Sequence, residues 1–308
     1  PNEYRWFLRD SVAPKDWPRK EARALLARFA PALRLADQAA RRQRCDWERT
    51  PLTIQNMSEN LPLRELQFCR EVAYYLMLRC HLELADRRFD DVVRTLQTGF
   101  ALARDVGAGD TLIDNLVGIA LEAVMLGLVE QLVQTPGSPN LYWALTALPR
   151  PLVDVRRSMR YDLNTVYRSF PQLRDIQDKK LTTREVEALV DQLVRSLGQM
   201  EGPGAPAWAG KLAAATLAAK AYPDARRYLI ARGRTAKEVE AMPTLQVVVI
   251  YHMGQYNRVR DDVLKWLSVP PWQGQAGMEQ VDREVRAQTK KGGNPIIGLL
   301  LPAIVKVY

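Results

Sequence analysis

The stretch LRELQFCREVAYYLMLRCHLELADRRFDDVVRTLQTGFALARDVG, Leu63 to Gly107, decides the fold. In its first half Leu66, Cys69, Val72, Ala73, Leu76, Met77, Cys80 and Leu84 recur at i, i+3, i+4 and i+7. That is one apolar face of a helix. Asp86, Arg87 and Arg88 interrupt the run. Phe89, Val92, Val93, Leu96, Gly99, Phe100, Ala103 and Val106 then restart the period. Gly107 and Gly109 read as C-terminal glycines that close the second helix. Two amphipathic helices joined by a short polar turn hide both stripes only by folding back on each other. The spacing therefore predicts helices over Leu66–Ala85 and Phe89–Val106, packed as an antiparallel hairpin.

Working outward, the pattern repeats. Lys20–Arg42 reads as a helix with Pro31 inside it, preceded by a leader carrying Tyr4, Trp6, Phe7 and Trp17 that is expected to dock. After the hairpin, Asp110 or Thr111 can cap a helix to about Gln134, apolar on most sides and so expected to be the most buried one. Its Gly118 and Gly127 each cost about 1 kcal/mol of helix propensity and are read as contact points for a crossing helix. Ser138-Pro139 is a helix start for Asn140–Leu148, and Pro151 is read as opening a helix to Phe170. Thr182 with Glu185 and Thr235 with Glu238 are capping boxes. Glu201–Gly210 reads as a linker, followed by helices over Lys211–Ala221, Asp224–Arg232, Leu245–Leu267 and Met278–Lys291. No βαβ alternation or hairpin-turn signal occurs. The reading is all-α, with a region over 1–200 and another over 201–308 packed as one continuous body.

Charge and composition restrict the function classes. The 308 residues are 47% hydrophobic and 26% charged, ordinary for a globular chain. The net charge of +9 is uneven: over 51–150, Lys and Arg number 8 against 12 Asp and Glu. Arginines interleave with acids on helix faces, as in Arg184, Glu185, Glu187, Asp191 and Arg195, so no nucleic-acid partner is expected. Two histidines and three scattered cysteines do not make a zinc site at any usual spacing, and no metal or other cofactor is expected. Cys69 and Cys80 lie three turns apart on one helix, too far for a disulfide. GxxxxGK[ST], GxSxG and HExxH are absent. No run of 18 apolar residues occurs, so no membrane insertion is expected within this chain. The chain opens on Pro1 and ends within the apolar segment Ile296–Tyr308, so a signal or anchor removed before Pro1 and a longer gene are expected.

Four residues are candidate contacts. His81 stands beside Cys80, but helix neighbours point about 100° apart and do not converge on one bond. His252 lies in IYHMGQY. Tyr142 and Trp143, in NLYWAL, open a short helix bounded by prolines and are expected to pin two helix layers together. No catalytic residue is assigned.

Two resemblances add to this. The hairpin resembles one tetratricopeptide unit: Phe89 follows the turn, Asp90 and Asp91 come next, and Gly99 stands where such repeats keep a small residue. Val92 departs from the family's alanine, and no second copy appears at a period near 34 residues. Taken in order, Cys45-Asp46-Trp47, LELADRRFDDVVRTLQTGFALARDVG, TLIDNLVGIA (Thr111–Ala120), SPNLYWALTALPRP (Ser138–Pro151) and AYPDARRYLIARG (Ala221–Gly233) resemble an uncharacterised family of helical proteins of planctomycete bacteria. That resemblance implies an exported or membrane-tethered protein, periplasmic or at the cell surface, and brings no functional residues. The expectation is an α-solenoid-like, tetratricopeptide-like array of antiparallel hairpins, a non-enzymatic scaffold that binds a protein or peptide. The alternative is an enzyme or small-molecule binder with an acid- and arginine-lined site between helices.

Overall fold

The computed structural model describes residues 18–53, 56, 62–201, 207–288, 293–294 and 296–297. These residues are predominantly helical, with no strand among them. The chain divides into two compact units, Pro1–Arg49 with Pro62–Ser158, and Thr50–Leu61 with Met159–Tyr308. The aromatic leader to Trp17, residues 202–206 of the expected linker and the apolar C-terminal tail after Ile297 lie outside the described residues; the rest of the linker is helical.

The first unit is built on α1 (Arg19–Ala39), α2 (Leu63–Ala85), α3 (Phe89–Gly107), α4 (Leu112–Gln134) and the short α5 (Tyr142–Thr146). The hairpin expected from the sequence is present as α2 and α3, which pack on each other. Most of the predicted stripe of α2 faces α3 and α4, while Val72 and Leu76 pack on Leu33 of α1. Cys80 joins Val92, Leu96, Phe100, Met125 and Leu132 in one cluster, and Leu66, Cys69 and Ala73 join Ala103, Val106 and Leu121 in another. A second face of α2, Leu78 and Leu82, packs on Ala22 and Leu25 of α1. Burial on two sides explains why α2 carries apolar residues beyond one stripe.

Gly107 and Gly109 serve close approach rather than a left-handed helix end. Neither has a positive φ, and α3 ends on Ala108 in right-handed geometry. A Cβ on Gly107 would stand 2.6 Å from a Val153 methyl, and one on Gly109 would stand 2.5 Å from the Asp114 carboxyl carbon. Gly118 is a helix contact as expected, set against the backbone of Gly107 and Ala103. Gly127 is not: a Cβ there meets nothing within 4 Å. Facing glycines remove the side-chain layer that otherwise keeps helix axes apart. Thr111 and Asp114 form a full capping box at the start of α4.

Helix limits differ in three places. The helix expected over Asn140–Leu148 is only Tyr142–Thr146, because Asn140 turns its side-chain oxygen onto the Tyr142 N–H and fixes a turn. Pro151 does not open a helix. It follows a cis peptide bond, and α6 (Val155–Leu163) begins after Asp154 accepts the Arg156 N–H. The segment then breaks at Asn164, whose side chain donates to the Arg160 carbonyl, before α7 (Thr165–Ser169).

The second unit continues with α8 (Thr183–Glu201), α9 (Ala207–Ala231), α10 (Ala236–Glu240), α11 (Thr244–Leu267) and α12 (Pro271–Gln288). Both expected capping boxes are present. The two helices expected either side of Pro223 are one, α9, with the proline inside it. Val247 to Tyr251 is helical, and α11 is the central element, packing on both α9 and α12. Tyr256 is fully buried on it and donates its hydroxyl to the Leu163 carbonyl.

Candidate functional site

Helix α4 has two apolar faces and the first unit covers only one. Inward, Leu121, Met125, Leu128 and Leu132 are buried against α2 and α3. Outward, Leu116, Ile119, Ala120, Ala123, Leu126, Glu130 and Val133 are exposed, again at three- and four-residue spacing. Leu126 is 44% exposed and Val133 59%. The expectation that α4 is the most buried helix is therefore corrected: its all-round apolarity belongs to two surfaces, one without a cover among the described residues. A partner covering the four large side chains would gain about 1 kcal/mol from each, half of a full burial. Ala120, Ala123 and the open site at Gly127 keep the middle of this face shallow.

The same helix bears on a second expectation, that no segment of this chain inserts into a membrane. Counting uninterrupted apolar residues misses α4, whose 23 residues include a window of mean hydropathy 1.9, long and apolar enough to cross a membrane. In this structure 44% of that window is buried inside the protein.

Tyr142 and Trp143 do not pin helix layers. Their side chains are 60% and 79% exposed, edge to face with centroids 5.0 Å apart. The pinning falls instead to Leu141, Leu145 and Leu148 on the opposite side of α5, which pack on the cluster around Met125 and Val129. Beneath them is an apolar hollow of about 410 Å³, lined by Val93, Leu96, Phe100, Leu145 and Leu148 among others.

The two histidines are interior residues. His81 is 9% exposed, and burial pulls its pKa down to about 4. Its neutral form is favoured in the folded chain, whereas the unfolded chain takes up a proton below about 6.5. The stabilisation is complete above pH 6.5 and is lost as the pH falls toward 4, about 3 kcal/mol over that window. Urea unfolding of His81→Leu between pH 7 and 4.5 should show a shallower decline of stability than the parent. Equal slopes would contradict the assignment. His252, in the second unit, is also buried, and neither ring nitrogen has a hydrogen-bond partner. Burial lowers its pKa, against an opposing pull from Gln255. Of the four candidate residues, Tyr142 and Trp143 touch each other at the surface of the first unit, His81 is in its interior, and His252 belongs to the second unit.

Buried charge in the first unit is paired internally, although one Arg49 nitrogen has no hydrogen-bond partner. Arg79 donates to both oxygens of Asp37 at 2.9 Å and to the Thr95 hydroxyl, which donates in turn to Glu83 at 2.6 Å. Burial works to raise the Asp37 pKa, but hydrogen bonds from Arg79 and Thr98 outweigh it and leave it lowered. Burial raises that of Glu83, with Thr95 and Arg79 pulling the other way. Arg49 pairs with the fully buried Asp114 and lies over the Trp47 ring. These pairs fasten α1, α2, α3, α4 and the loop before α2; Arg49 and Trp47 also line a hollow of about 520 Å³ with Asp46, Arg104, Asp110 and Arg157. Burial raises the Cys69 thiol to about 11 and Cys80 to about 12, so both stay protonated and unbridged at neutral pH. Among the described residues, no three metal-binding side chains are grouped.

The residue set that sequence reading missed is thus the outer face of α4. Its signal was present, in that Leu116, Ile119, Leu126 and Val133 recur at helical spacing opposite the Gly118–Leu121–Met125 stripe. No protein-family model matches the chain, and neither a curated protein nor a solved structure shows significant similarity to it.

Proposed function

We propose that the chain is a non-enzymatic helical scaffold whose first unit binds a helix of a protein partner on the outer face of α4. The observation that carries this reading is the exposed apolar stripe from Leu116 to Val133 with a shallow centre at Ala120, Ala123 and Gly127. A second helix approaches most closely where facing residues are small, and large side chains at the stripe's ends then interdigitate with it. Glu122, whose pKa burial raises, stands at the edge of the stripe and Glu130 within it, between Leu126 and Val133, and both favour a partner with basic residues on or beside its apolar face. The internally paired ion networks of this unit support a holding role rather than a chemical one.

A displayed library of amphipathic helical peptides, selected on the folded protein, tests this. The enriched peptides should carry apolar residues at i, i+3, i+4 and i+7 with basic flanks. Leu126→Asp should weaken their binding by at least about tenfold, since a charge replaces a buried methyl contact. Selected peptides that bind Leu126→Asp and the parent equally would defeat the proposal. So would a stripe that proves already occupied by a second copy in sedimentation, or one that carries the protein to neutral lipid vesicles.

A further inference from the structure

The second unit contains a cavity of about 770 Å³ that the scaffold reading does not use. It lies among the loop from Leu173 to Asp178, the end of α9 and one face of α11. That volume falls in the range of small-molecule sites. Its walls are held in place from below. Leu173 and Ile176 are buried anchors of the loop, and the fully buried Gln246 donates its amide to the carbonyls of Ile176 and Lys179. Arg234 donates to the Gln177 carbonyl from the other side. Tyr228 lies directly over Gly254, where any larger residue would displace it, and Arg232 stacks on the Tyr228 ring at 4.6 Å.

The charges along this cavity are sorted. Gln246 fixes residues 176–179 beside the first turn of α11, so Arg234, bonded to Gln177, stands at that end. Asp261 and Asp262 follow four helical turns later, about 22 Å along the axis. Arg232, over the Tyr228 ring, is two residues before Arg234, and Arg174 is on the loop that Arg234 grips at Gln177; Asp178 is the lining acid of that loop. Arg174 and Arg232 make no ion pair or side-chain hydrogen bond among the described residues, and Arg234 spends its bond on a neutral carbonyl. By contrast Arg258 is neutralised by Glu284, and Asp261 by Arg260 at 2.8 Å. Between the two ends the walls include Tyr228, Leu229, Ile250 and Met253.

We infer that this cavity binds a small organic anion, its carboxylate or phosphate held by Arg174, Arg232 and Arg234 and its apolar body lying along Tyr228, Ile250 and Met253. Guanidinium groups grip either anion through paired N–H donors, and three of them facing one carboxylate leave a net positive end. The apolar middle favours a ligand with a ring or short chain over a bare ion.

Calorimetric titration of the full chain with phenyl phosphate, benzoate and benzyl alcohol tests the inference. Phenyl phosphate, benzoate or both should bind saturably, the stronger of the two identifying the anion, and benzyl alcohol should bind far more weakly. Arg174→Gln and Arg232→Gln should each weaken binding about tenfold. Neither arginine is in an ion pair, so both variants should melt with the parent, and Leu126→Asp should bind the anion normally. Absence of saturable binding by either anion at millimolar concentration would overturn the inference, as would equal binding of the neutral alcohol or unchanged affinity in the Arg174→Gln/Arg232→Gln double variant.

Discussion

Gly118→Ala should destabilise the first unit by about 2 kcal/mol or more, while Gly127→Ala, nine residues along the same helix, should stabilise it by up to about 1 kcal/mol. The two substitutions are chemically identical, and only the surroundings differ. A Cβ on Gly118 would stand 2.6 Å from the Gly107 Cα and 2.8 Å from the Ala103 carbonyl oxygen. Both are backbone atoms of α3, so no side chain can move aside and the helices themselves must separate. Separation would loosen the Ala103, Val106 and Leu121 cluster that their contact closes. At Gly127 the new methyl meets nothing, and the gain is the helix propensity that glycine forgoes. Urea denaturation of the two variants against the parent measures both. Equal effects would mean that α3 and α4 do not touch at Gly107 and Gly118.

Asp114→Ala carries the other large effect, a loss of about 3–5 kcal/mol. The carboxylate has no solvent exposure and three partners: the Thr111 N–H at 2.9 Å, the Thr111 hydroxyl at 2.7 Å and the Arg49 guanidinium. Alanine leaves the Thr111 N–H without its capping acceptor, worth about 1 kcal/mol by itself. It also leaves Arg49, whose side chain is 19% exposed, without its counterion, the costlier part, and one buried Arg49 nitrogen already lacks a partner. Asp114→Asn keeps an acceptor for the cap and removes only the charge, so its loss should be smaller than that of Ala by about the 1 kcal/mol of the cap. Thermal melts of the pair separate the two contributions. If Asn and Ala cost the same, the capping acceptor adds nothing beyond the charge pair with Arg49.

How far the sequence could be read depends on the kind of signal. The α2–α3 hairpin was legible because each helix repeats its apolar positions through several turns. The Thr182 and Thr235 caps were legible because a capping box is local chemistry. The second buried face of α2, Leu78 and Leu82, was not, because a helix touched from two sides loses its single stripe. The same blurring hid the outer face of α4: apolar residues that pack and apolar residues that face outward look alike in one sequence. Gly118 and Gly127 illustrate the limit, since identical residues in one helix differ only in what stands opposite. Tyr142 and Trp143 were misplaced for a related reason. In a helix of a single turn, size and apolarity do not say which side faces in, and the smaller Leu141 and Leu145 took the interior. The arginine end of the second unit's cavity depends on a loop, a helix end and a helix face distant in sequence, and no spacing rule joins them.

The most direct test of the α4 face as the binding surface is side-chain footprinting with hydroxyl radicals, in the presence and absence of a selected helical peptide. Leu116, Ile119, Leu126 and Val133 should react freely in the protein alone and become protected together when the peptide binds, while Leu121, Met125 and Leu132 stay protected throughout. Protection that appears elsewhere with these four unchanged, or four side chains already shielded before any peptide is added, would contradict it.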